Sequence, residues 1–152
     1  MRKSLVNYQY KQELSPERFA HMTDWMLLWQ HRNPSASFSL VLIDFQNPTA
    51  LGNALGAAYA MDLIRRVERE ISSVLRATDQ FCRFRVSSFL VLLPQGAPEM
   101  VLNKLEPIIQ AARLDGLDAS QLHLAKLVLP EELKGEKSAA ELFDRLALRR
   151  DR

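Results

Sequence analysis

Residues 38–44 read FSLVLID, an almost unbroken apolar run that ends in an acid. At that length it suits a strand, and a strand without polar alternation is one covered on both faces. A second run of the same character, FLVLL, occupies 89–93. Two such strands need helices above and below them. The chain is thereby confined to a layered α/β architecture with its sheet in the middle.

The segments between these runs supply the helices. Ser15-Pro16-Glu17 is a helix start, with an N-cap hydroxyl, proline at the first helical position and an acid in the first turn. Phe19, Met22, Met26 and Trp29 follow at helical spacing, and Asn33-Pro34-Ser35 ends the helix. Another helix starts at Asn47-Pro48, is weakened near Gly56, and continues with Met61, Ile64, Val67, Ile71 and Leu75 inward. Cys82, Phe84 and Val86 alternate with Arg83 and Arg85, so 81–94 reads as a β-hairpin with Ser87-Ser88 at its tip. A helix from Pro98, with Met100, Leu102, Leu105, Ile108 and Ile109 inward, is expected to kink or split at Pro107 and to end at Asp115-Gly116. Residues 122–129 form a strand, and Ser138 to Glu141 is a capping box that opens the last helix. Crossover helices plus one hairpin predict a mixed sheet. Residues 1–14 read as an N-terminal tail and 15–152 as a single domain.

Net charge is +2, too small to argue for DNA from the total alone. The one cysteine, Cys82, reads as a small buried hydrophobe. No stretch reaches the roughly 18 apolar residues of a membrane span. His21, His31 and His123 show no metal spacing. No serine sits in a nucleophile-elbow pattern. The expectation is a cytoplasmic domain without a metal or a cofactor.

Two stretches carry a resemblance. VLIDFQNPTALGNALGAAYAMDLIRRVEREISSVL runs without a gap along the first half of the pattern of GGDEF domains, the bacterial diguanylate cyclases and their inactive relatives. RATD, then QFCRF, RVSSF and LVLLP, match the second half at that family's spacing. The resemblance implies a three-layer α/β domain in which a central mixed sheet is flanked by helices. It also implies departures. The family's glycine-rich acidic signature falls on Arg85-Val86-Ser87-Ser88-Phe89, where only the phenylalanine is kept. Asp44 stands at the family's first metal position without its carboxylate partner, and phosphoryl transfer needs metal held by carboxylates. The family's guanine-reading positions fall on Gly52 and Met61, with Asn53 and Asp62 one residue along.

The RATD stretch places Arg76 and Asp79 where the family has its inhibitory site for cyclic di-GMP. An arginine fork pairs with guanine O6 and N7 or stacks on the base, and a carboxylate accepts from N1–H and the exocyclic amine. Both side chains are expected at the surface. Arg83, Lys104 and Arg113 are the candidate cations for the phosphates. The resemblance and its departures therefore imply a degenerate receptor domain for cyclic di-GMP that is not itself an enzyme, of the kind that includes the PelD type. Its outputs would be processes such as exopolysaccharide production and biofilm formation. A larger signalling or secretion protein, a membrane-associated complex or a homodimer would be its setting. The alternative is a degenerate interaction or scaffold module with no nucleotide site.

Overall fold

The computed structural model describes residues 13–45, 48–114 and 122–149, apart from the side chains of 48, 50, 54, 55, 109, 112–114 and 122. Most of the expected N-terminal tail, and the helix stop at Asp115-Gly116, lie outside the described residues. In chain order the elements are α1 (Pro16–Arg32), β1 (Phe38–Phe45), α2 (Pro48–Leu55), α3 (Ala57–Val74), β2 (Gln80–Arg85), β3 (Ser88–Pro94), α4 (Pro98–Leu114), β4 (Leu122–Leu129) and α5 (Ala139–Leu148).

Local signals explain the element boundaries. Ser15 accepts from the N–H of Arg18 to cap α1, and Ser138 accepts from the N–H of Glu141 to cap α5. Gly56, at φ 86°, separates α2 from α3, a backbone geometry that glycine adopts without steric cost. Pro107 does not split α4, which continues through it to Leu114. Its ring sits on the exposed side, away from the sheet. Met100, expected inward, is 43 % exposed, and Val101 takes the buried position instead.

The sheet order is β2-β3-β1-β4. All three strand pairs are antiparallel, which corrects the expected mixed sheet. The crossover through α2 and α3 does return β2 parallel to β1, but β3 inserts between them. Likewise β1 lies between β3 and β4. The result is the split βαβ arrangement, in which parallel strands are never neighbours. Among the described residues a parallel contact survives only as the isolated bridge between Leu14 and Cys82.

β1 is buried on both faces, as its composition requires. Val41, Ile43 and Phe45 point into a core with Leu51, Leu63, Ile64, Val67, Ile71, Val101 and Leu105. Leu40 and Leu42 point the other way, onto Phe19, Met26, Leu142 and Leu146. Each such side chain contributes about 1.5–3 kcal/mol by leaving water. Leu92, wholly buried beside them, would cost about 2–5 kcal/mol if cut to alanine. Among the described residues no helix is long and apolar enough to cross a membrane.

Candidate functional site

Two corners of this sheet hold its chemistry, and they lie at opposite ends of the β1–β3 pair. Phe38 faces Pro94 at one end and Asp44 faces Ser88 at the other.

The first corner is a turn after α3. The N–H of Asp79 donates to the carbonyl of Arg76 at 3.0 Å, and its carboxylate accepts from the N–H of Arg76 at 2.7 Å. These two bonds set the three-residue spacing. The same carboxylate accepts from Arg76 Nε at 3.3 Å and Nη2 at 3.1 Å. Nη2 also donates to the carbonyl of Pro94 at 2.9 Å, across the sheet end. The Asp79 side chain is 0 % exposed and that of Arg76 is 47 % exposed. Asp79 is therefore not at the surface, contrary to expectation. Its oxygens turn inward onto three donors of Arg76. Arg76 is half exposed, and its Nη1 makes no hydrogen bond among the described residues.

Of the other expected cations, Arg83 is engaged on α3. Arg83 Nη2 pairs with Glu68 at 2.8 Å, and its guanidinium lies 5.6 Å from the Phe89 ring centroid. Its Nε is buried without a hydrogen-bond partner among the described residues. Arg83 thus fastens β2 to α3. Lys104 lies on the exposed side of α4, and the Arg113 side chain is outside the described residues.

The second corner is the hairpin end. The hairpin turn is Val86-Ser87, one residue before the expected Ser87-Ser88; Val86 is 58 % exposed, and Ser87 and Ser88 are both buried. Ser87 Oγ donates to the carbonyl of Phe45 at 2.7 Å, and Ser88 Oγ donates to Asp44 Oδ1 at 2.5 Å. Two hydroxyls thus tie the hairpin to the end of β1. Their spacing from Asp44 gave no sign of this, because the partners are more than forty residues away. Beside Asp44 opens a cavity of about 340 Å³ lined by Pro16, Ala20, Cys82, Arg85, Phe143 and Asp144 among others. Burial pushes the Cys82 thiol up to about 12, so this wall holds an inert thiol. Asn53 is exposed, and Asp62 pairs with Arg66 at 3.7 Å on α3.

Comparison with known proteins agrees with this geometry. The family model described as "Diguanylate cyclase, GGDEF domain" matches residues 18–118 of the 152. No curated protein matches. Among solved structures, the GGDEF domain of YfiN from Pseudomonas aeruginosa is 19 % identical, with TM-score 0.66 over 90 % of this chain and 87 % of that one. The GGDEF domain of DgcB from Caulobacter crescentus, in complex with cyclic di-GMP, is 16 % identical, with TM-score 0.59 over 92 % and 86 %. The active GGEEF domain of a diguanylate cyclase from Vibrio cholerae is 15 % identical, with TM-score 0.62 over 90 % and 88 %. The matched model and that neighbour are of enzymes. They overturn the expectation of a non-enzyme, which rested on the departures at 85–89 and at Asp44, Gly52 and Met61.

Proposed function

The chain belongs to the GGDEF domain family, and from that premise we propose that it binds cyclic di-GMP at the corner built on Arg76. The observation that carries the reading is the fixed, half-exposed Arg76 guanidinium. Its fork is aligned by a buried carboxylate before any ligand arrives. A planar cation held in this way offers its face to a base and its free Nη1 to guanine O6 or N7. Because the side chain is already immobilised, little rotamer entropy remains to be lost on binding. Asp79 does not touch the ligand in this arrangement. It aligns Arg76, in place of the direct contact expected for it. Lys104 is the exposed candidate for a phosphate. Arg113 remains a candidate on sequence grounds, and Arg83 contributes only by leaving Glu68. The relative from Caulobacter crescentus, solved with cyclic di-GMP, supports the ligand class. A cytoplasmic signalling role, with exopolysaccharide production among its outputs, belongs to the same proposal.

Titration calorimetry with cyclic di-GMP tests it. Arg76→Lys is the informative variant, since it keeps a cation beside Asp79 and removes the planar fork. Loss of a hydrogen bond to a charged group costs about 1.5–3 kcal/mol, so affinity should fall roughly ten- to more than a hundred-fold. A wild type that binds nothing, or an Arg76→Lys variant that binds as tightly, would remove the reading.

One observation favours a protein partner as well. Trp25 is 56 % and Leu28 68 % exposed on α1, and Trp25 stacks on Trp29 with ring centroids 6.1 Å apart. Adjacent exposed aromatic and aliphatic side chains are a common feature of interaction surfaces.

A further inference from the structure

The turn that follows β3 approaches Arg76 more closely than any side chain would allow. A Cβ at Gly96 would lie 2.8 Å from Arg76 Nη2 and 2.8 Å from Leu93 Cβ. Pro94 accepts from that same Nη2. Gln95 has φ 53°, a left-handed conformation that few non-glycine residues adopt. Two bonds hold it there. The N–H of Gln95 donates to the carbonyl of Ser37 at 2.8 Å, and Ser39 Oγ donates to the carbonyl of Gly96 at 2.8 Å. The turn is thus fixed to the start of β1 independently of Arg76. It is a rigid wall against which the guanidinium rests.

We infer that the Pro94–Gly96 turn is the second wall of the cyclic di-GMP site, with Gly96 the positioning residue that sets where the Arg76 guanidinium sits. The inference rests on the proposed function for its ligand, but its geometry stands alone. Asp79 fixes one edge of the fork from below. Pro94 fixes Nη2 from the side, and the bare Gly96 leaves room for that bond. Any side chain at 96 drives Nη2 off the Pro94 carbonyl and turns the exposed face of the guanidinium away from its resting plane. The Pro94 oxygen, with a second lone pair, is also placed beside Arg76 as an acceptor for a guanine N–H, a role the buried Asp79 cannot fill.

The test is Gly96→Ala, in the wild type and in the Arg76→Ala background, with three readouts. Gly96 has no left-handed φ, so alanine meets no φ penalty there and its strain comes from the 2.8 Å approaches to Arg76 and Leu93. The Arg76 Nε–H resonance should shift in the single variant. Cyclic di-GMP affinity should fall tenfold or more. The unfolding free energies lost by Gly96→Ala and by Arg76→Ala should sum to more than the double variant loses, because the two changes break the same contact. The Leu93 contact is common to both backgrounds and cancels in that cycle. Should Gly96→Ala fail to fold, Ser39→Ala removes the bond that holds the Gly96 carbonyl to β1 and should shift the same resonance. An unmoved Nε–H resonance, or strictly additive losses, overturns the inference. If the wild type binds no cyclic di-GMP, the ligand reading fails, while the resonance and the cycle still decide whether Gly96 positions Arg76.

Discussion

The two ends of the β1–β3 pair solve one problem in opposite ways. Each buries or half-buries an aspartate and must supply it with donors. At the Arg76 end the donor is a cation, and the carboxylate disappears completely beneath it. What faces water is therefore positive, planar and fixed. At the Asp44 end the donor is the neutral hydroxyl of Ser88, and the carboxylate stays partly exposed beside a cavity of about 340 Å³. What remains there is a carboxylate, with Arg85 in the lining of the same cavity. A ligand rich in guanine edges and phosphate is suited to the first end. The difference comes from one choice of partner, arginine against serine.

That contrast predicts an order of stabilities. Arg76→Ala should be the most damaging change, costing about 3 kcal/mol, because it strands a buried carboxylate with one remaining donor. The usual range for a buried pair is trimmed here, since Arg76 is half in water. Asp79→Ala should cost less, about 2 kcal/mol, because the freed guanidinium reaches solvent. Urea unfolding decides the order, and a reversed order would mean that Asp79 is not the buried member. Ser88→Ala should cost about 1.5 kcal/mol by removing the donor to Asp44, whose carboxylate then turns to water. The smallest effect belongs to Arg85→Ala. Its guanidinium lies 5.3 Å from the Phe84 centroid at an exposed position, worth about 0.5 kcal/mol. A loss of several kcal/mol there would show that Arg85 is tied to the Asp44 corner after all.

Much of the fold could be read from residue patterns, because burial on both faces leaves so plain a mark. FSLVLID and FLVLL both proved to be the inner strands β1 and β3. The capping residues Ser15 and Ser138 act as their neighbours imply. Strand order was not legible, since adjacency depends on where a crossover lands and not on the strand's own composition. The burial of Asp79 was hidden for a related reason. A local Arg-x-x-Asp looks like a surface ion pair, and the Pro94 carbonyl that draws the Arg76 guanidinium onto the sheet end lies eighteen residues on. Likewise Ser87 and Ser88 read as an idle tip, because the groups they satisfy, Phe45 and Asp44, are distant in sequence. Gly96 did leave a signal, a glycine two residues after the proline that ends β3. Its meaning required knowing that Arg76 lies against it.

Amide chemical-shift perturbation during a cyclic di-GMP titration tests the central claim most directly, because it reports both corners at once. The account predicts the largest shifts at 76–79 and at Gln95 and Gly96, with Ser87 and Ser88 nearly unmoved. Shifts concentrated at 85–88, or none at millimolar ligand, would contradict it.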